Sequence, residues 1–238
     1  MIEHPILFSS DMVRAILDDC KTQTRRVIKP QPADDLKWMG WIIETGSKSD
    51  KSIGCAQWVD EFPLSTKHHT VRCPYGHTGD RLWVRETHVF EWYEDEPRSK
   101  DGRPIFYQAG DGTEYDEPRW LYPHYKATDP IPELCYEDGD GYSDGDPQCK
   151  WLPSIHMPRW ASRITLEIVN IRVGLLQEIT DDDAIQEGVD RTNTSIPGYA
   201  RTRFMDLWNS IYFSRPENKW KVNPWVWVIE FKRVEQTQ

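Results

Sequence analysis

The sequence predicts an α+β fold in which strands dominate, short helices flank them, and one large acidic insertion interrupts the chain. Three observations carry that expectation. Apolar residues alternate late in the chain at Ile164, Leu166 and Ile168, and from Trp225 they fill both faces of a closing strand that runs to Val234. Helical spacing is confined to short stretches such as Val13, Ile16 and Leu17. Charge is also uneven: residues 94 to 146 hold fifteen Asp and Glu against five Lys and Arg. The rest of the chain holds twenty-four of each, so the net charge of −10 belongs to that one stretch.

Taken in order, Ile6 to Phe8 form a first strand that enters the short helix, with Ser9 or Ser10 at its start. Arg25 to Ile28 begin the next strand, which ends at Pro30 because proline has no amide hydrogen to donate. Residues 31 to 70 read as irregular, with Trp38, Trp41 and Trp58 packed as a lid or satellite cluster. The run Pro74-Tyr75-Gly76-His77-Thr78-Gly79-Asp80 is a turn leading into a strand at Leu82 to Val84. The acidic insertion at about 94–146, rich in Gly, Pro, Asp and Tyr, reads as a long surface loop or a small excursion from the main fold that adds little regular structure, with Trp120 and Tyr125 as its candidates for local burial. Beyond it comes the long strand through Ile164, Leu166 and Ile168, with Ile171 and Val173 following a bulge. Thr180 caps a helix, Asp183 stands in capping-box position, and Gly188 ends it. Phe204, Leu207, Trp208 and Ile211 mark another helix, and Trp225 to Val234 close the fold with a strand buried on both faces in its first half.

With no Pro/Ser linker between self-contained cores, residues 1–238 read as one elaborated domain. Hydrophobic content is only 38%, but twelve Trp supply enough apolar area for a packed core. No apolar stretch is long enough to cross a bilayer and no secretion signal is visible, so the expectation is a cytoplasmic protein without a membrane partner. Five cysteines at irregular spacing do not form a disulfide framework. Cys55, Cys73 and His77, with His68 and His69, are the nearest approach to zinc ligands, but neither cysteine has a Cys-x-x-Cys partner. Asp138 and Asp140 begin like a calcium loop whose later ligands do not follow. The expectation is therefore no metal, no cofactor and no obligate protein partner.

The chemistry concentrates in Asp19-Cys20-Lys21-Thr22-Gln23-Thr24-Arg25-Arg26. Eight residues hold a potential base, two hydroxyls and a pair of guanidinium groups. The same residues suit a solvated helix end, where cations complement the macrodipole. Lys21 and Thr24 would point apart on a strand, so their cooperation requires the chain to turn.

The short helix followed by Lys-Thr-x-Thr-x-Arg, and later by a Gly-Asp-x-Leu-x-Val strand, resembles the ASCH domain family. That resemblance implies a PUA-like β-barrel associated with RNA and modified nucleosides. Lys21 and Arg26 match the family signature Gly-x-Lys-x-x-Glu-x-Arg, whereas Asp19 replaces its Gly and Thr24 its Glu. The Thr form is similar to a small bacterial branch that hydrolyses N4-acetylcytidine with a Lys, a Thr and a distant Glu. The Glu of that branch lies in an Ala-x-Gln-Glu stretch, matched here by Ala184-Ile185-Gln186-Glu187. Matching segments cover about half of the chain, with a long insertion between the two pieces. Longer members of phage and prophage type are similar in the Leu82–Glu86 and His156–Trp160 segments.

The resemblance implies Lys21, Thr24 and Glu187 as a catalytic set. Arg25, Arg26, Trp83, Glu86, His156 and Arg159 are candidates for holding substrate, since a nucleobase pocket wants an aromatic face and polar groups for the base edge. His156 and Arg159 are equally compatible with packing, the latter against Trp160. The expected activity is hydrolysis of an N4-acylated cytosine, free or within RNA, with a modified nucleoside or single-stranded RNA as partner. A non-catalytic RNA-binding module and a divalent-metal ribonuclease of the ASCH group are the alternatives.

Overall fold

The computed structural model describes residues 1–42, 54–60, 67–93, 106–108, 119–132, 149–190 and 196–234. In chain order the elements begin with β1 (Glu3–Leu7), α1 (Ser10–Leu17), β2 (Gln23–Val27), β3 (Leu36–Trp41), β4 (Ala56–Asp60) and β5 (His68–Val71). They continue with β6 (Arg81–Arg85), β7 (His88–Tyr93), β8 (Phe106–Gln108), β9 (Arg119–Tyr125) and β10 (Thr165–Leu175). Then come α2 (Asp181–Gln186), α3 (Tyr199–Ile211) and β11 (Trp225–Val234). The fold is α+β, with most regular residues in sheets. Two compact units form: Met1–Asp19 with Arg81–Glu167 and Arg233–Gln238, and Cys20–Asp80 with Ile168–Lys232. Each unit is assembled from separated segments, which is why no linker shows in the sequence.

In the first unit β1 pairs parallel with β6, from Glu3 opposite Arg81 to Leu7 opposite Arg85. The first residues of β10 lie antiparallel to β6, Thr165 opposite Trp83. Gly76 and Gly79 both take positive φ in the turn that precedes β6, a conformation glycine reaches without Cβ strain.

The acidic insertion is not the structureless loop its composition predicts. Its described residues include β8 and β9, and β9 pairs along the whole of β7 from His88 opposite Tyr125 to Tyr93 opposite Trp120. Leu121 and Tyr125 enter a core with Phe90, Met157 and Ala161, and the Tyr125 hydroxyl donates to the Ala161 carbonyl at 2.8 Å. The short apolar run Trp120-Leu121-Tyr122 is outweighed in composition by the charges around it. Asp111-Gly112-Thr113 and the Asp138/Asp140 pair lie outside the described residues. Excising 94–146 therefore removes core rather than decoration: losing Leu121 and Tyr125 costs several kcal/mol, since one large buried side chain is worth about 2–5 kcal/mol. The expected result is loss of a cooperative urea transition; a sharp transition in the deletion protein would return the insertion to the surface.

In the second unit β11 pairs antiparallel with β2, Val226 opposite Val27 and Ile229 opposite Thr24, and β2 is the edge strand. Within residues 31 to 70, expected to be irregular, the described residues include β3 and β4, which with β5 form an antiparallel sheet ordered β3-β4-β5. Gly40, at φ 130, sits where the register shifts after Trp38, and that bulge broke the alternation that would have announced the strand. The tryptophans do cluster: Trp38 lies 4.9 Å from Trp58, and Trp41 stacks on Trp227 at 5.8 Å. Behind the other face of the sheet, Val226 and Val228 pack with Phe204 and Trp208 of α3 and Ala184 of α2. Among the described residues Cys20, Cys55 and Cys73 are free and Cys149 is disulfide-bonded. No helix among the described residues is long and apolar enough to cross a membrane.

Candidate functional site

Sequence dictates how the second unit delivers its charged groups. Asp19 takes a left-handed conformation, φ 54, after α1 has ended, and the chain then runs straight into Lys21 and β2. Lys21 pairs with Glu187 in an isolated antiparallel bridge, and the Thr22 amide donates to the Gln186 carbonyl at 2.9 Å. Thus the carboxyl end of α2 is pinned beside β2. The amino end is fixed by a reciprocal capping box, in which the Thr180 hydroxyl accepts from the Asp183 amide and the Asp183 carboxylate accepts from the Thr180 amide. Asp183 and Glu187 are four residues apart, one turn of helix, so both carboxylates face the strand.

Gln23 and Arg25 alternate onto that face of β2 and receive them. Arg25 donates Nη2 to Asp183 at 2.9 Å and Nη1 to Glu187 at 3.1 Å, and a second Nη1 contact reaches the Gln23 side-chain oxygen at 2.6 Å. Lys21 Nζ donates to Glu187 Oε2 at 2.9 Å, to the Glu187 carbonyl at 2.7 Å and to the Gln23 carbonyl at 2.8 Å. Those three acceptors use all the donors of an ammonium group. Arg172 extends the network outward, from Asp183 at 2.9 Å to Glu230 at 3.4 Å. Lys21, Arg25 and Glu187 are all buried.

Burial pulls the Lys21 amine below the usual lysine value; Glu187 opposes that, while Arg26 and Arg25 add to it. Burial works against ionising Asp183, but Arg25, the Thr180 amide, Arg172 and Gln23 together hold its carboxyl below the usual range. A carboxyl held down in this way stabilises the fold fully above its unfolded value of about 3.9 and loses that contribution as pH falls through the folded value. Asp183→Asn is therefore expected to flatten the acid limb of stability below about pH 4. Urea midpoints between pH 2 and pH 6 measure it, and an unchanged limb counts against the assignment.

Thr24 is buried on β2 but out of phase with Gln23 and Arg25, so its side chain leaves by the opposite face. The chain does not turn between Lys21 and Thr24. Lys21 instead lies at the outer edge of the strand, against the Gln23 carbonyl. Arg26, on the same face as Thr24, lines a cavity of about 270 Å³ with Lys29, Tyr75, Tyr212, Arg215 and Trp227.

The remaining candidates lie in the first unit. Arg159 places its guanidinium 5.8 Å from the Trp83 ring and its Nε 2.8 Å from Glu3 Oε2. Its expected packing partner Trp160 instead stacks on Phe90. Both Arg159 and His156 are exposed. Glu86 is 1% exposed, with one oxygen on Arg163 Nε at 2.9 Å and the other on Nη2 at 3.0 Å, and Arg163 lies 4.0 Å from the Tyr125 ring. Glu86 thus has a structural partner on each oxygen. His69 contacts the Trp58 ring, His77 pairs with Asp80, and Cys55 and Cys73 are buried; no three such groups among the described residues are placed to hold a metal.

Sequence reasoning read Asp183 only as a cap and passed over Gln23, Arg172 and Glu230. The i, i+4 pairing of Asp183 with Glu187 was the available signal. Compared with protein-family models, curated proteins and solved structures, the chain matches none.

Proposed function

We propose that the chain is an amidohydrolase of N4-acylated cytosine nucleosides, of which N4-acetylcytidine is the type, built on an ASCH-like, PUA-type scaffold. The observation that supports this best is the buried contact of Lys21 with Glu187, 166 positions apart in sequence. Those are two of the three residues that the motif resemblance sets together.

A charged Lys21 has no lone pair, so it cannot act as a base while all three protons are held. Burial penalises the Lys21 charge, and in this reading one proton passes from Nζ to Glu187 Oε2, 2.9 Å away. Lys21 then accepts the Thr24 hydroxyl proton as Thr24 Oγ1 attacks the acyl carbonyl, a step that requires the edge of β2 to turn Thr24 towards Lys21 when substrate binds. The C–N4 bond breaks, Glu187 delivers its proton to the leaving amine, and an acyl ester forms on Thr24. Water then attacks the ester, releasing the carboxylic acid and restoring the hydroxyl. Each half-reaction returns the Lys21–Glu187 pair to its starting protonation.

The role of Lys21 and Arg25 as phosphate grips has less support, because both are buried against carboxylates. Incubation with N4-acetylcytidine followed by chromatography for cytidine tests the reading. The expected rate rises with pH through an apparent pKa below that of free lysine, about 10.4. Absence of cytidine at every pH would leave the reading without an activity.

A further inference from the structure

The cavity beside the outer edge of β2 is built differently from the ion-pair network. Three of its lining residues are cations, Arg26, Lys29 and Arg215, and none of its lining is acidic. In a chain of net charge −10 such a wall needs an explanation. Lys29 and Arg215 are exposed. Three aromatic rings complete the wall: Tyr75, Tyr212 and Trp227. Trp227 is 1% exposed and held by its stack on Trp41, so it braces the wall from behind, and the partly exposed rings of Tyr75 and Tyr212 offer the stacking area. Burial raises the hydroxyls of Tyr75 and Tyr212 above the usual phenol range, with Arg26 opposing in both cases, so both stay neutral donors at pH 7.

We propose that this cavity binds a nucleoside monophosphate unit, its phosphate monoester held by Arg26, Lys29 and Arg215 and its base against the aromatic wall. Charge selects the monoester: at pH 7 it carries about −1.5 to −2, against −1 for an internal diester, and three cations match the larger value. Guanidinium forks suit phosphate oxygens in paired contacts. Size limits the ligand to a single nucleotide, since about 270 Å³ lies just below the usual range of ligand cavities, about 300–1,000 Å³. Aromatic faces accept any base by stacking, so the contact favours a nucleotide over bare phosphate. The monoester has two sources, a free mononucleotide or the phosphorylated end of a single strand.

Arg26 also bears electrostatically on Lys21 as well as on Tyr75 and Tyr212. The inference thereby extends the hydrolase reading by giving its substrate a phosphate, although the cavity stands independently of turnover. CMP carries no acyl group, so its binding is measured whether or not the protein hydrolyses anything.

Calorimetry on the full chain with CMP, cytidine and inorganic phosphate tests the proposal. CMP is expected to bind at least about tenfold more tightly than either cytidine or phosphate. The double variant Lys29→Ala/Arg215→Ala, at two exposed positions, should bring CMP down to the affinity of cytidine. Tyr75→Leu should narrow the gap between CMP and phosphate. A short oligonucleotide with a 5′-phosphate, compared with its 5′-hydroxyl form, separates the sources: preference for the phosphorylated strand assigns the strand end, and binding of CMP alone assigns the free nucleotide. Equal affinities for CMP and cytidine, or an unchanged CMP affinity in the double variant, overturn the phosphate contact. Phosphate binding as tightly as CMP reduces the cavity to an anion site and overturns the nucleotide.

Discussion

Thr24→Ala is expected to lower release of cytidine from N4-acetylcytidine by about a thousandfold or more, as loss of a nucleophile does in enzymes that use one. Substrate affinity should stay within about 1 kcal/mol of the unaltered protein, because a single hydroxyl contact is worth roughly that much. The separation of the two effects is the diagnostic. Thr24 lies on the opposite face of β2 from Gln23 and Arg25, so removing its hydroxyl leaves the bonds of Arg25 to Asp183 and Glu187 intact. Folding and the ion pairs are then preserved while chemistry is lost. Turnover that persists in Thr24→Ala removes the nucleophile and leaves Glu187 to activate water directly, with Thr24 only positioning substrate.

The largest effect on stability is expected from Arg163→Ala. Glu86 is buried at 1% exposure and each of its oxygens is bonded to this one guanidinium. Truncating Arg163 removes two charge-assisted bonds from a buried carboxylate and the cation from the Tyr125 ring, for a cost of about 3–5 kcal/mol. The double replacement Glu86→Met/Arg163→Met should recover most of that loss, because an apolar pair of similar volume carries no desolvation penalty. Urea unfolding followed by tryptophan fluorescence measures both. If the double replacement proves as unstable as Arg163→Ala, the damage comes from packing and not from an unpaired charge.

How far the sequence revealed the molecule depended on whether a signal was local. Strand β11 was legible because Trp225 to Ile229 are an unbroken run of β-favouring apolar residues, the pattern of a strand buried on both faces. The α2 capping box was equally plain, since Thr180 and Asp183 stand three residues apart. Sheet β3-β4-β5 was not legible, because a bulge at Gly40 and scattered tryptophans hide the period of two. Strand β9 was hidden for another reason: averaging charge over 94–146 hid a short apolar segment among acidic neighbours. For the site, Lys21 and Glu187 were paired through a motif, whereas the approach of Arg163 to Glu86 and of Arg215 to Lys29 depends on folding across long separations. Single-residue identities carry no trace of such encounters.

Six residues are too few for a free helix; peptides shorter than about 12 residues scarcely hold one in water. The helix of Asp181–Gln186 therefore exists because Thr180 starts it and Arg25, Gln23 and Lys21 hold its carboxylates from across the sheet. Its backbone amides become a gauge of those ties. Hydrogen exchange at the Ala184 and Glu187 amides, which donate to Thr180 and Asp183, should quicken whenever Lys21 or Arg25 is altered, even where global unfolding hardly shifts. The converse also holds: a molecule that draws Lys21 away from Glu187 loosens this helix at the same moment. In that sense the carboxylate is kept in place by the same amine it is proposed to serve, and local order in this helix and readiness for chemistry rise and fall together.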